Sequence, residues 1–569
     1  MPRHARDATG NFNRPYRRTT LHPRRTVLRS PIMRTPLLAA LFGTLALLTT
    51  AAFAKRETPV EQGLRTHTLF IGNGAEPRDL DPHIVIAYTD YNILVALFEG
   101  LTVLDEATSR PLPGMAEHWD ISNDGLTYTF HLRPDAKWSN NDPVTAADFV
   151  FSMERILSPQ LASEYAYMLA PIKGAEDYTA GKIKEFSEVG IRAIDTKTLE
   201  ITLNRPTPYL LSLAAHQSWF PVHPATLRKF DATHRRGTAW TKPANIVTNG
   251  PFTLETWSPD ERIVVKKNPR HHDAAQNQIE QVVFLPIGDP AVEERNFRTG
   301  QLHATYSLPV DRVALYRAQS PSPLRVEALL ETNYLAFNVT KPPFNDPRVR
   351  RALSLAIDRA LLVKTILHDT RLPAYSLVPP NTAGYNSTAR AETDFAAARQ
   401  LLAEAGFPGG RGFPKVEIQF SPPVIDPKAV EAIQEMWRRE LGIEVALAQL
   451  EYRIHIDNQH VLAFQISVMR WIGDYNDPST FTDLMTSQSG NNDTGWKNPA
   501  YDKLIDSAAR ERTETNRYIL LQQAEKLLLD EAPIAPVFFG TRTYLLRPEV
   551  KGWVPTLLGI HRYQTISLK

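Results

Sequence analysis

The apolar positions change period along the chain. Residues 128–132 and 199–203 alternate apolar with polar side chains, which is the pattern of strands buried on one face. Further on the period lengthens to that of a helix. After Asp346 and Pro347, the side chains of Val349, Leu353 and Ile357 share a face, with the aspartate placed as N-cap and the proline at the first helical position. Asp426 and Pro427 open a second helix whose stripe is Val430, Ile433, Trp437 and Leu441, closed by Gly442. A third helix, over 395–405, ends in the same way at Gly406. Strand-like runs at 416–420 and 443–449 flank the second helix and predict a β-α-β unit. The C-terminal half therefore reads as α/β. The earlier half has shorter strands and more turns, so the whole reads as an α/β chain with mixed sheets. The 44 prolines are spread through turn-like segments and predict long ordered loops.

One run fits neither period. Residues 37–48 are almost continuously apolar, Met33 and Arg34 precede them, and small residues ending in Ala52, Phe53 and Ala54 follow. A positive start, a short apolar stretch and an A-x-A site make a signal peptide, with cleavage expected after Ala54. The run is short for a membrane span, and a retained anchor is the alternative. The arginine-rich residues before Met33 read either as an overlong start or as part of a twin-arginine signal around Arg24 and Arg25. Residues 1–54 are thus targeting sequence.

That segment also distorts the charge. The 569 residues carry 64 basic and 62 acidic side chains, but nine arginines and a single acid, Asp7, lie in the first 54, which leaves 55 basic against 61 acidic. A mature protein of that sign offers no general field for nucleic acid or anionic lipid. Cysteine is absent, which excludes disulfides, thiolate metal sites, cysteine nucleophiles and a lipid-modified N-terminus. A free periplasmic protein, monomeric and not inserted in the membrane after cleavage, is the expectation.

Enzymatic patterns are missing. The chain has no G-x-S-x-G elbow, no H-E-x-x-H and no phosphate-cradling loop, so neither catalytic residues nor a cofactor is expected. His271, His272 and Asp273 form a compact metal-like cluster. Adjacent residues on a strand point apart, so a solvated loop is favoured there and no metal site is expected. The run WIGDYNDP at 471–478 packs rings, an acid and a turn into eight residues. It suits either a pocket wall whose carboxylate grips a cation, or a strand end in which Asp474 caps local backbone.

Residues 116–133 (AEHWDISNDGLTYTFHLR), 137–139 (KWS) and 143–149 (PVTAADF) resemble the signature of family 5 of the bacterial extracellular solute-binding proteins. Further matches are LDPH at 80–83, LFEG at 97–100, NIVTNG at 245–250, KPPFND at 341–346 and LLAEAG at 401–406, so the likeness spans 68–569. Within the family, 341–346 and 471–478 look like the oligopeptide-binding subgroup of peptide ABC importers. The resemblance implies a two-lobed periplasmic binding protein fold with a hinge and an additional third domain. Lobe I takes 55–100, 224–330 and 541–569, the additional domain 101–223, and lobe II 331–540. It implies no enzyme, but a receptor that closes on short peptides and passes them to an inner-membrane ABC permease. A murein-peptide receptor of the same fold is the alternative, with a peptidase and a nickel–chelate binder as remoter ones.

By the same resemblance Asp474, beside Gly473, aligns with the aspartate that pairs with the ligand's α-ammonium. Tyr165, Tyr334 and Trp471 fall at site-lining positions, and Tyr452 replaces another ring. The departures lie at the other end of the ligand. Val468 stands where an arginine is expected, with Arg470 two places on, and Leu367 stands for a lysine, beside His368 and near Arg371. Ile86 replaces an acid. Glu331 and Ile472 occupy the positions of the subgroup's disulfide cysteines.

Overall fold

The computed structural model describes residues 57–569; the targeting segment assigned to 1–54 lies outside them. Both alternating runs form strands, Thr127–Leu132 and Thr198–Thr202. They pair antiparallel in a four-stranded sheet completed by Ala116–Ile121 and Ile191–Ala193. Helix Ala146–Leu157, opened by a capping box between Thr145 and Asp148, contributes the buried Phe149, Met153 and Ile156 to the core of this region, whose buried members lie between Leu101 and Trp219.

A second four-stranded sheet joins Thr68–Gly72, Gln281–Leu285, Arg262–Lys267 and Phe252–Ser258 in that order. Its core combines chain that is far apart in sequence, with Leu69 and Ile71 meeting Phe252, Val265 and Phe284, and Tyr544, Ile566 and Leu568 arriving from the C-terminus.

The largest sheet has six strands, ordered Leu372–Pro373, Ile534–Leu545, Leu324–Phe337, Ile466–Ile472, Val416–Phe420 and Val445–Gln449. Its β-α-β unit is the expected one. Val416–Phe420 and Val445–Gln449 pair in parallel, and between them helix Pro427–Leu441 starts on the Asp426 cap and stops at Gly442, whose φ of 69° suits a residue without a Cβ. Val430, Ile433, Trp437 and Leu441 are all buried. Helix Pro347–Leu355 is two residues shorter than its apolar stripe suggests. Ile357 lies beyond the Ala356 cap and yet is buried in the same core, so burial rather than helical winding explains its apolar character.

Two long strands, Leu324–Phe337 and Ile534–Leu545, run side by side from one core to the next. Leu324 pairs with Leu545, which packs in a small core joined by Leu285 of the second four-stranded sheet, and Ala336 pairs with Ile534 at the other end of the ladder. Between Ala328 and Thr332 the register slips. Such an irregularity bends a ladder and leaves groups unpaired. Here it places Glu331 against Gly540, where an added Cβ would stand 2.7 Å from the Glu331 Cβ.

Candidate peptide-binding site

Strand Ile466–Ile472 ends at a turn held from three sides. The Gly473 N–H donates to the Leu330 carbonyl at 2.7 Å, and a side chain at 473 would meet Leu330 Cδ2 at 2.5 Å, so the close approach needs glycine. Asn476 donates to the Ser109 carbonyl at 3.2 Å and accepts from the Ala383 N–H at 3.1 Å. Asp477 takes the Ser479 N–H at 2.9 Å and is locked by the Arg517 guanidinium at 2.9 Å in a buried ion pair. Removing either partner of such a pair strands a charge, which fixes the turn firmly.

Asp477, not Asp474, thus caps the local backbone. The Asp474 side chain takes no backbone N–H; its main-chain N–H donates to Thr480 Oγ1 at 3.4 Å while the carboxylate faces the cleft. Burial raises its pKa, and the Tyr167 hydroxyl opposes that only in part. A desolvated carboxylate without a cation is a ready receptor for one.

Three cavities run into one another around this group. One of about 530 Å³ and one of about 390 Å³ share Asp474, Tyr167 and Trp471. The second shares Arg470 and Val424 with a third of about 490 Å³. The Trp471 indole is pinned by donation to the Thr480 carbonyl at 2.7 Å. Tyr334 is buried and lines the middle cavity with the exposed Tyr452 at the start of helix Tyr452–His460. Tyr165 feels the charge of Asp474 but lines none of the three cavities; its ring is edge-on to His216 at 4.9 Å and its hydroxyl 3.5 Å from the Ile86 carbonyl.

The third cavity is the cationic end. Arg371 and Arg470 both line it with Glu331, and neither guanidinium forms an ion pair among the described residues. Arg470 reaches only the Pro423 carbonyl at 3.4 Å, and Arg371 only its neighbour's, that of Thr370, at 2.8 Å. Burial lowers the Arg371 pKa, Glu331 opposes this and Arg470 adds to it. The Glu331 carboxylate accepts from the Asn333 amide at 2.8 Å. His368 is apart from this group: it sits exposed in a left-handed turn, φ 51°, and lines none of the three cavities. Leu367, its neighbour, turns into the cavity instead.

Sequence reasoning passed over Tyr167 and Tyr88. Tyr167 repeats the Tyr165 signal two residues on, and Tyr88 approaches Asp474 and Glu331 from a helix more than 200 residues away in sequence. The histidine cluster also differs from expectation. His271 and His272 do occupy a turn, but not a solvated one: both side chains are buried, their rings lie together, 4.1 Å between centroids, and both Nε2 atoms face the buried Glu99 carboxylate at 3.1 and 2.7 Å. His272 Nδ1 meets Asp273 at 3.1 Å. With carboxylate oxygens at both ring nitrogens, His272 is held as the imidazolium; burial opposes this, but hydrogen bonds to Asp273 and Glu99 push its pKa up to about 9.

Residues 110–493 match the sequence profile of the bacterial extracellular solute-binding proteins, family 5. The chain belongs to that family. Among its family 5 relatives is the periplasmic oligopeptide-binding protein OppA of Salmonella typhimurium, 36% identical over 92% of this chain and 96% of OppA. The unliganded open form of the periplasmic murein tripeptide binding protein MppA superposes with a TM-score of 0.81 at 33% identity, covering 88% of this chain and 97% of MppA. Haemophilus influenzae OppA in complex with RPPGFSPFR gives 0.67 at 30% identity over 88% and 99%. The fold is therefore the two-lobed one of periplasmic binding proteins, and the family and these relatives are substrate-binding proteins. No helix of the described residues is long and apolar enough to cross a membrane.

Proposed function

We propose that this protein is exported to the periplasm, captures short peptides with free amino termini and delivers them to an inner-membrane ABC permease. One observation carries the reading: a single continuous cleft presents a desolvated carboxylate, Asp474, at one place and two unpaired guanidiniums, Arg470 and Arg371, farther along. A zwitterionic peptide has the matching ends, and its main chain offers pairing groups that do not depend on sequence. Waters in roomy pockets then accommodate varied side chains.

The separate cores support lobes at 55–100, 224–330 and 541–569 and at 331–540, with 101–223 as the additional domain. The slipped register of strands Leu324–Phe337 and Ile534–Leu545 is the natural hinge, and the better superposition on an open relative than on a peptide complex fits a cleft waiting to close. A signal peptide ending at Ala54 would release a monomeric chain starting at Lys55.

Mass spectrometry of the ligands released by denaturing the purified protein tests the reading. Short peptides with unmodified amino termini are expected, and release of a non-peptide solute alone would overturn it. The likeness to MppA gives a second reading, a murein-peptide receptor using the same aspartate. Competition between L-tripeptides and murein tripeptide separates the two.

A further inference from the structure

The cleft does not stop at Asp474. The cavity of about 530 Å³ continues past it, between the turn at 473–480 and the segment carrying Arg205 and Tyr209. A peptide whose ammonium rests on Asp474 sends its main chain one way from its first Cα, toward Arg470. The side chain on that Cα needs another direction, and this cavity provides it.

Its wall holds a charge the fold leaves unused. The Asp483 carboxylate lines both this cavity and an adjoining one of about 260 Å³, forms no ion pair among the described residues, and has the neighbouring Thr482 hydroxyl as its one hydrogen-bonding partner. Burial raises its pKa to about 6, with Arg205 and Arg517 opposing and Asp477 adding to the rise. Both nearby arginines act on it from a distance, and neither forms an ion pair with it. Arg517 is committed to Asp477, and Arg205 stays solvent-exposed, outside ion-pair range. Tyr209 and Tyr475 stack with centroids 4.6 Å apart beside the carboxylate, giving ring surface for an aliphatic stem. Glu176 and Asn204 add further acceptors on the same wall.

We propose that this cavity receives the side chain of a bound peptide's first residue and that Asp483 selects a cationic one there, lysine or arginine. The inference rests on the peptide-binding reading above and deepens it. A stem of three or four methylenes packs on the tyrosine pair while its charged tip meets a carboxylate that has no ion-pair partner among the described residues. A neutral stem of the same length keeps the packing and leaves Asp483 without its cation.

Calorimetry of the full chain with Lys-Ala-Ala and norleucine-Ala-Ala isolates that charge. In the wild type the lysine peptide is expected to bind roughly tenfold or more tightly than the norleucine peptide. In Asp483→Asn the ratio should fall to about one, whichever way the absolute affinities move, and in Asp483→Glu part of it should return. Melting curves of both variants verify that they are folded. Equal affinity of the two peptides for the wild type, or a preference that survives Asp483→Asn, would overturn this inference and leave peptide capture standing. If neither peptide bound, the peptide reading itself would fall, and this one with it.

Discussion

Glu331 and Ile472 stand directly opposite one another across the antiparallel strands Leu324–Phe337 and Ile466–Ile472. These are the two positions at which the family resemblance puts the cysteines of a cross-link. Here the pair holds the strands by neither bond nor charge. The carboxylate turns instead toward Asn333 and the side of the cleft where Arg371 and Arg470 lie unpaired.

The register makes that cross-link restorable. Opposed residues in an antiparallel pair have Cα atoms about 4.5–5.5 Å apart, inside the roughly 4.4–6.8 Å span of a disulfide. Glu331→Cys with Ile472→Cys should therefore oxidise spontaneously and leave no titratable thiol. Because the change also removes a charge beside two arginines, the valid comparison is the oxidised against the reduced form of the same variant. Closure of so long a loop is worth about 3–5 kcal/mol, so the oxidised form should melt clearly higher. Coincident melting curves would mean that the two side chains do not face each other as the register implies.

Much of this arrangement is legible in the chain itself. The β-α-β unit around Pro427–Leu441 follows from a cap, an apolar stripe and a terminal glycine, all of which are local. The run 471–478 shows rings, an acid and a turn. Which aspartate caps and which faces the cleft is not local, because it depends on Arg517 arriving from another helix to claim Asp477. The histidine pair carries the same lesson, since Glu99 meets His271 across 172 positions of sequence and no spacing rule connects them. His368 looks well placed beside Leu367 until the backbone turns left-handed there.

The Glu99–His272 contact should make stability depend on pH. The folded pKa of His272 is raised, to about 9, from about 6.5 in the unfolded chain, so its contribution is fully present below 6.5 and is lost as pH rises through 9. Glu99 is shifted the other way: burial alone would raise its pKa, but His271 and His272 overcome this and lower it, so its share is present above the ordinary carboxylate range and fades in acid. The two shifts describe one interaction and are not additive. Urea midpoints of the wild type should decline between pH 7 and pH 9.5 by more than those of His272→Gln. Parallel curves for the two proteins would show that the cluster does not hold a proton in the folded state.

At the far end of the cleft, Arg470 and Arg371 should share the ligand's carboxylate. Either arginine alone is partly solvated, so Arg470→Ala should weaken tripeptide binding by only about tenfold, and the double change with Arg371→Ala by more. C-terminally amidated peptides should bind the wild type less well and be nearly indifferent to the double substitution. If amidated and free peptides lost affinity equally in the variant, the arginines would be acting on the fold and not on the carboxylate. His368→Ala, outside the cavities, should change neither.

The last prediction concerns Asp474, whose carboxylate is desolvated yet spared from capping its own turn. An ion pair formed there gains little over an apolar contact of the same shape, but removing one partner leaves the other charge buried, at a cost of about 3–5 kcal/mol. Asp474→Ala should therefore weaken peptide binding by roughly two to three orders of magnitude. Acetylating the peptide's amino terminus removes the same interaction from the other side and should cost the wild type a similar amount. Applied together, the two changes should cost less than their sum, since the second removes a partner that is already gone. The raised pKa adds a direction: because only the ionised carboxylate attracts an ammonium, affinity for free peptides should begin to fall, on acidification, above the usual aspartate range, and Asp474→Ala should lack that limb. Since Asp477 caps the turn, the variant should also melt near the wild-type temperature, which separates a lost contact from a lost fold. Calorimetry of the four combinations of protein and peptide decides the matter, and strict additivity among them would remove Asp474 from the site.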